Sequence, residues 1–257
     1  MADGQSMRLQ RYLSLCGVCS RRRAEEAILL GEVLVDGQRA IPGTSIRPGE
    51  STVTFRGEEI CPPKKKIPTV FALHKPRGYL CTHGDPHHDG GGTIYALLPL
   101  HKQRKLICCG RLDKDSEGLV LLTDDGSLAF TLSHPSAGIE KLYRVTIDKP
   151  LEEKHKKTLS AGIGDGGEWL TLHSLRVLPG GGRRLAIVLH AGKKRHIRRM
   201  LAALGYEVRQ LIRYRIGSFE LGTLPAGRYR RLTEAQVAAL RKNTPTSDRL
   251  TDSLGGP

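Results

Sequence analysis

A charged loop between two apolar segments is the feature that most constrains how this chain can fold. Residues 106–123 read LICCG, then RLDKDSEG, then LVLLT. Short apolar runs bounded by glycine and charged residues are typical of buried strands joined by a loop. Asp113 lies just past the end of the first strand, where a side chain is held firmly and still faces a cleft. The pattern therefore predicts a buried sheet with a carboxylate at its edge.

A carboxylate in the position of Asp113 can bind a metal, transfer protons or act as a nucleophile. Asp113 and Asp115 form a D-x-D pair that would suit a metal, but the flanking Arg111 and Lys114 disfavour a divalent cation. A carboxylate close to arginine keeps a low pKa and stays ionised, which favours a base or a nucleophile. The spacing alone also fits an ordinary loop aspartate that is bonded to backbone amides.

The charge of the chain is strongly positive and clustered. Lys and Arg number 41 against 26 Asp and Glu, a formal net charge of +15. Residues 176–231 carry 14 basic residues and two acidic ones. Such a cluster favours a polyanionic partner, because neutralised phosphates release their counterions. We expect nucleic acid, with a solvated surface that only aids solubility as the alternative.

Compartment and metal content follow from hydropathy and from the cysteines. No segment approaches the roughly 20 apolar residues of a membrane span, and the first residues lack the apolar core of a signal peptide. We therefore expect a cytoplasmic protein that avoids membranes and keeps its six cysteines as thiols. Four residues near one another have side chains that can bind a metal: Cys81, His83, His87 and His88. Their glycine-rich surroundings are more typical of a polar loop than of a metal site, so we expect no metal there.

Periodicity predicts a mixed α+β protein with a small first module. Apolar residues at Leu9, Tyr12 and Leu13 share one helical face, and Ser20 suits the N-cap of a second helix that Gly31 would end. The segment EVLVDGQRA then indicates a strand, an Asp-Gly turn and a strand. We place this module at residues 7–56, a linker at 57–67, a larger domain at 68–241 and a disordered tail at 242–257.

The first module has the residues expected of an RNA-binding unit. Arg21, Arg22 and Arg23 open its second helix, and Arg8 and Arg11 lie on the first. The order of residues from Met7 to about Phe55 resembles the alpha-L RNA-binding fold, which is named for ribosomal small-subunit protein four. That resemblance implies binding to structured RNA and leaves open whether the chain is an enzyme.

The larger domain carries four motifs in a fixed order. GRLDKDSEGLVLLTDDG is similar to the signature of the pseudouridine synthases of the RsuA/RluB type. HKPRGYLCT with TIYALLP, KLYRVTI, and the segment that begins AGKKRHIRRM resemble the other motifs of that branch. The resemblance covers about Val70 to Leu232 and implies a catalytic domain built on a mixed, largely antiparallel sheet.

The resemblance also implies a reaction and its residues. A uridine in RNA is detached at N1, turned and rejoined at C5, without a cofactor or a metal. Asp113 matches the aspartate that forms a covalent adduct or removes a ribose proton, and Tyr143 matches the tyrosine that packs on the target base. Arg198 matches the basic residue that pairs with the aspartate, and Arg111 the arginine that enters the RNA stack when the uridine leaves it.

Three further basic residues of the last motif are expected to contact RNA: Lys194, Arg195 and Arg199. Two departures from the family pattern are His196, where glutamine is usual, and HHDGGG at residues 87–92. Neither removes a residue assigned to the chemistry. The second puts the identity of the RNA in doubt.

The expected substrate is ribosomal RNA, either free or in an assembling subunit, acted on by a monomer. The form of the first module favours large-subunit (23S) RNA, with small-subunit (16S) RNA as the alternative. From other classes of protein, a non-catalytic assembly factor and a metal-dependent nuclease that uses Asp113 and Asp115 remain hypotheses.

Overall fold

The structure is a computed structural model that describes residues 6–61, 67–82, 92–98 and 106–242. The chain divides into two compact units, residues 1–67 and 68–257. The tail predicted for residues 242–257 lies outside the described residues except for Lys242, which ends the last helix.

The first unit combines two helices with short strands. In chain order its elements are β1 (Met7–Arg8), α1 (Leu9–Leu15), α2 (Arg21–Leu29), β2 (Val33–Val35), β3 (Gln38–Arg39), β4 (Ser45–Ile46), β5 (Val53–Phe55) and β6 (Glu58–Glu59). Strand β1 pairs with β4, and the other four strands form a sheet in the order β3-β2-β5-β6.

Local sequence explains the ends of these elements. The Ser20 hydroxyl accepts a hydrogen bond from the Arg23 amide at 3.3 Å and caps α2 as predicted. Asp36 and Gly37 have φ values of 51° and 79°, the backbone that a two-residue hairpin turn requires. The linker predicted for residues 57–67 contains β6, because the chain turns back after Phe55 and pairs with β5.

The second unit is built on a nine-stranded sheet. Its elements are β7 (Val70–Lys75), β8 (Ile107–Cys109), β9 (Glu117–Thr123), α3 (Gly126–Ser133), β10 (Lys141–Ile147), α4 (Glu153–Ala161), β11 (Ile163–Asp165), β12 (Glu168–Leu170), β13 (Ser174–Val177), β14 (Arg184–Leu189), α5 (His196–Ala202), β15 (Val208–Ile216), β16 (Phe219–Glu220), β17 (Tyr229–Arg231) and α6 (Glu234–Lys242). Short 3₁₀ helices occur at Ile94–Leu97 and Pro135–Ala137.

The main sheet runs β13-β14-β10-β15-β9-β7-β17, with β16 beside β15 and β8 beside β9. Its neighbouring strands pair antiparallel except β9 and β15, which are parallel. At this junction Gly118 has a φ of 112°, and a Cβ there would lie 2.4 Å from the Arg213 carbonyl oxygen. Only glycine therefore permits the parallel pairing. The prediction of a mixed α+β fold with a largely antiparallel sheet is confirmed.

Strand β9 is buried on both faces of the sheet. Leu119 and Leu121 belong to the core on one side, and Val120 and Leu122 belong to the core on the other. A strand covered on both faces has no solvent side to alternate with, which explains its unbroken apolar run. After it, Asp125 caps α3 by accepting from the amides of Ser127 and Leu128. Among the described helices, none has the length and hydropathy to cross a bilayer.

Candidate active site

The second unit contains a cleft of about 480 Å³ beside the loop that joins β8 to β9. Its apolar wall comes from the core that holds Tyr143 on β10, and includes Leu112, Leu189, Ile197 and Leu211. Cationic side chains surround this wall, namely Arg111, Lys114, Lys193, Lys194 and Arg195. An aromatic, apolar wall with a cationic border suits a flat, uncharged ring attached to an anionic backbone.

Asp113 is half-buried and is the single carboxylate among the described residues that line the cleft. Its backbone carbonyl accepts from the Ser116 amide at 3.1 Å, which closes a turn of the loop. Within the described part of the chain its carboxylate has no ion pair. An anion that lines the cleft and has no ion pair among the described residues is available to react with a bound molecule.

Asp115, two residues further on, lies in a different environment. Its carboxylate oxygen lies 2.9 Å from Nη1 of Arg195 and 3.3 Å from Nε of Arg198. Arg198 also donates to the carbonyls of Asp115 and Val208, both at 3.0 Å. Although burial raises the pKa of Asp115, the bond from Arg195 and the charge of Arg198 hold that pKa below its ordinary value.

The ion pair that Arg198 makes in the structure is with Asp115, and the predicted pairing of Arg198 with Asp113 stays a prediction. The guanidinium also bonds the Val208 carbonyl on β15 and the Asp115 carbonyl in the loop. Arg198 still lies close enough to Asp113 for their charges to attract. Its bonds to Asp115 connect α5 to the loop that carries Asp113.

Lys75, the last residue of β7, bonds the backbone of the loop that carries Asp113, a role that the sequence alone did not predict. The residue is fully buried, and its ammonium donates to the carbonyls of Ser116 at 2.6 Å, Pro76 at 3.0 Å and Lys114 at 3.3 Å. Burial lowers its pKa, while nearby groups such as Cys81 and Asp115 oppose that shift. Three bonds to three carbonyls use all the hydrogens of the ammonium.

Arg213 on β15 holds the other end of the loop and was also missed. It is 1% exposed, and its guanidinium donates to the carbonyls of Leu119 at 2.7 Å, Arg111 at 3.3 Å and Gly110 at 3.5 Å. A sequence signal was present for Lys75, which ends a largely apolar strand where an unpaired charge would be costly. None was present for Arg213, which shares β15 with Arg209 and Arg215. Together with Arg198, Lys75 and Arg213 bind the loop carbonyls and fix its backbone.

Some of the other predicted site residues line the cleft, and others lie elsewhere. Tyr143, Arg111, Lys194 and Arg195 line the cleft with Asp113. Arg199 does not; it forms ion pairs with Asp165 and Glu168 on the β11–β12 hairpin. In this structure its donors bond that hairpin, and its predicted RNA contact stays a prediction. In the first unit Arg21, Arg22 and Arg23 are all exposed at the start of α2.

Two less expected groups also line the cleft. The Cys81 sulfur accepts from the Leu112 amide at 3.4 Å, and a bond from Cys108 together with that amide lowers the pKa of the Cys81 thiol. His196 is 7% exposed, and burial lowers the pKa of its imidazole, which favours the neutral ring. A neutral ring where the family pattern has glutamine preserves an uncharged polar group.

One group of described residues has the chemistry and spacing of a metal site: Glu140, His173 and His190, whose ligand atoms lie within 4.8 Å of one another. Arg215 already compensates the Glu140 carboxylate at 3.2 Å, and the buried ammonium of Lys141 bonds the His190 carbonyl. These cations disfavour a divalent ion there. The possible metal cluster noted in the sequence includes His83, His87 and His88, and these three histidines lie outside the described residues.

The chain matches two family models. One, described as RNA pseudouridylate synthase, covers residues 69–203, and the other, described as the S4 domain, covers residues 7–51. The first span includes the whole loop around Asp113 and the cationic border of the cleft.

Known proteins resemble the chain over most of its length. The dual-specificity RNA pseudouridine synthase RluF of Escherichia coli K12 is 35% identical over 94% of this chain and 81% of its own. A chloroplast protein of Arabidopsis thaliana, SVR1, named as a candidate ribosomal large subunit pseudouridine synthase, is 33% identical over 92% of this chain and 61% of its own. A crystal structure of a pseudouridylate synthase is 32% identical and superposes with a TM-score of 0.64 over 91% of this chain and 99% of its own.

Proposed function

We propose that this protein converts one uridine of large-subunit (23S) ribosomal RNA to pseudouridine, with Asp113 as the reacting carboxylate. The proposal starts from the family: the chain belongs to the RNA pseudouridine synthases and carries an S4 domain, as its motifs predicted. The observation that carries the assignment is the solitary Asp113 carboxylate in a cationic cleft with an aromatic wall. We propose a cytoplasmic monomer as the active form.

The proposed roles follow from the chemistry of the cleft. The cationic border attracts the RNA backbone, and the target uridine leaves its stack at a cost of a few kcal/mol. Tyr143 then packs on the extruded base, and Arg111 at the exposed edge of the cleft occupies the vacated place in the stack. Asp113 forms an adduct or removes a ribose proton, and these are the two roles that the family resemblance implies for it.

Large-subunit RNA is the favoured substrate for two reasons. By its residues, the S4 domain resembles the form found in enzymes that act on that RNA more than the small-subunit type. The name of the Arabidopsis relative refers to the ribosomal large subunit, and the match covers 92% of this chain and 61% of the relative.

The test uses unmodified transcripts of large-subunit and small-subunit ribosomal RNA, incubated separately with the protein in the presence of a chelator. Carbodiimide treatment and primer extension then map pseudouridine. We expect one new stop on the large-subunit transcript. Asp113→Asn should lower the rate by at least about 10²–10⁴-fold, the range for removal of a catalytic acid or base, with RNA affinity kept. Asp115→Asn is the matched control, since it removes a neighbouring carboxylate. It should lower the rate much less than Asp113→Asn does.

Other outcomes would contradict parts of the assignment. A stop on the small-subunit transcript alone would overturn the choice of RNA, and activity that survives Asp113→Asn would overturn the choice of residue. Binding without any modification would indicate an assembly factor, and RNA shortened only when magnesium is supplied would indicate a nuclease. Gel filtration with light scattering checks the monomer.

A further inference from the structure

Trp169 on β12 is an exposed aromatic residue that the proposed reaction does not use. It is the only tryptophan of the chain, and 62% of it is exposed. A large apolar side chain on the surface can be incidental when it stands alone. The surroundings of Trp169 instead hold it in place beside the cleft.

The indole lies against Gly164 of the facing strand β11 and against Gly162, which directly precedes that strand. A Cβ at Gly162 would come 2.7 Å from the indole nitrogen, and one at Gly164 would lie 3.5 Å from the six-membered ring. Gly164 is also the residue paired with Trp169 in the hairpin. The ring is therefore supported by bare backbone on one side, while its large exposed fraction leaves the other side to solvent.

Basic residues from the cleft side fasten this hairpin. Arg199 donates to the Glu168 carboxylate at 2.6 Å and to the Asp165 carbonyl at 2.7 Å. Lys193 donates to the Trp169 carbonyl at 3.1 Å and lies 3.5 Å from the Glu168 carboxylate. Bonds on both strands and at the residue itself fix the position of the indole, so that little order is lost when it binds a partner.

Lys193 connects the indole to the cleft. It lines the cleft next to Lys194 and Arg195, and the same side chain bonds the backbone of Trp169. Cations that follow a phosphate backbone, combined with an aromatic ring on which a base stacks, are the recurring means of binding single-stranded nucleic acid. The charge beside Trp169 thus matches an RNA strand better than an apolar protein surface.

We propose that Trp169 is a stacking platform for an unpaired base of the substrate RNA, a nucleotide that flanks the uridine held in the cleft. This inference rests on the proposed function for the identity of the RNA. Lys194, which is exposed on the border of the cleft, binds the phosphate between the two bases, and the indole holds the flanking base outside the cleft. The platform adds affinity for single-stranded RNA around the target and takes no part in the chemical step.

The test exploits Trp169 as the only tryptophan, so that its emission reports directly on the site. The full chain is titrated with a short labelled oligouridylate and with an RNA duplex of equal length, and the anisotropy of the label reports binding. We expect the oligouridylate to quench the emission as it binds and the duplex to leave it nearly unchanged. Unchanged emission when the single strand is bound, or failure to bind any RNA, would overturn the platform.

Variants separate stacking from folding. Trp169→Ala should raise KM for the ribosomal transcript roughly 5- to 140-fold, the loss expected for one base–aromatic stack, with the effect in KM rather than in kcat. Trp169→Phe retains a ring and should recover most of the affinity. Phe130→Ala is the matched control, because Phe130 is 54% exposed on α3 and does not line the cleft.

An equal loss in Phe130→Ala and Trp169→Ala, or no change in KM for Trp169→Ala with its fold intact by circular dichroism, would contradict the platform. The quenching measurement on the unaltered chain remains decisive if Trp169→Ala does not fold. Quenching without pseudouridine formation on either transcript would leave the platform standing while the proposed function fails.

Discussion

Two groups of cations, one in each unit, are used in opposite ways. In the second unit Lys75 and Arg213 are almost completely buried and bind carbonyls of the loop around Asp113. In the first unit Arg21, Arg22 and Arg23 are exposed at the start of α2. Buried and bonded charges fix geometry and are screened little by salt, whereas exposed charges attract a polyanion and lose strength as salt rises. Chemistry therefore depends on the first kind and affinity on the second.

The largest effect is expected from Lys75→Met, which leaves the carbonyls of Lys114 and Ser116 in the loop, and that of Pro76, without their donor. We expect the unfolding free energy to fall by about 3 kcal/mol, the cost of breaking a buried polar network, and kcat to fall on the order of 10²-fold through misplacement of Asp113. Urea titration and single-turnover kinetics measure the two quantities.

Lys141→Met is the control for Lys75→Met. Lys141 is also buried, and its ammonium bonds the carbonyls of Ile139 and His190 instead of the loop. It should lower stability by a similar amount and leave kcat nearly unchanged. An equal fall of kcat in both variants would show that stability rather than loop position governs the rate.

A smaller effect is expected from Asp115→Asn, which removes the partner of Arg195 and Arg198. We expect kcat to fall roughly tenfold and stability at neutral pH to fall by about 1 kcal/mol, because the carboxylate is partly exposed and solvent screens it. The pKa of Asp115 is lowered in the folded state, so its stabilisation is complete above the unfolded pKa of about 3.9 and is lost as pH falls through the folded pKa.

The stability difference between the unaltered chain and Asp115→Asn should therefore shrink as pH falls below about 4. Urea titrations of both proteins from neutral to acidic pH measure it. A difference that grows on acidification would mean that the ion pairs of Asp115 contribute no stability.

The smallest effect per residue is expected when Arg21, Arg22 and Arg23 are replaced together by alanine. Each exposed arginine that contacts a phosphate contributes slightly less than one unit to the slope of log affinity against log salt, so the slope should drop by roughly 2 to 3. The kcat at saturating RNA should stay unchanged, because these residues lie outside the catalytic unit. Filter binding over a salt series measures the slope.

Arg47→Ala is the control for the triple variant, since Arg47 is exposed in the same unit and Glu50 already compensates its charge at 3.4 Å. It should change the slope much less than each of the three arginines does. A triple variant with an unchanged slope would remove the contrast between the two units.

Local signals predicted much of the fold. The Ser20 cap of α2 and the Asp36–Gly37 turn each depend on residues within three positions of one another, which a sequence displays directly. The unbroken apolar run of β9 likewise predicted a buried strand. These features need no information about distant parts of the chain.

Contacts between distant residues could not be predicted in this way. Arg198 bonds the carbonyl of Asp115, a residue 83 positions away, and nothing in the local pattern selects Asp115 over Asp113. Arg199 was expected to face RNA and instead fastens a hairpin 31 to 34 positions before it. Trp169 is a strand residue by pattern, and only the fold shows that it stays exposed beside Lys193.

By itself the sequence determined the order of the two units, the family of the second, and the single loop that carries the proposed reacting carboxylate. The tertiary structure decided how that loop is held, through Lys75, Arg198 and Arg213, and which of its acids has no ion pair among the described residues. The physical reason is range. Caps, turns and apolar runs are set by neighbours along the chain, while a buried cation is satisfied by whichever carbonyls the sheet brings to it.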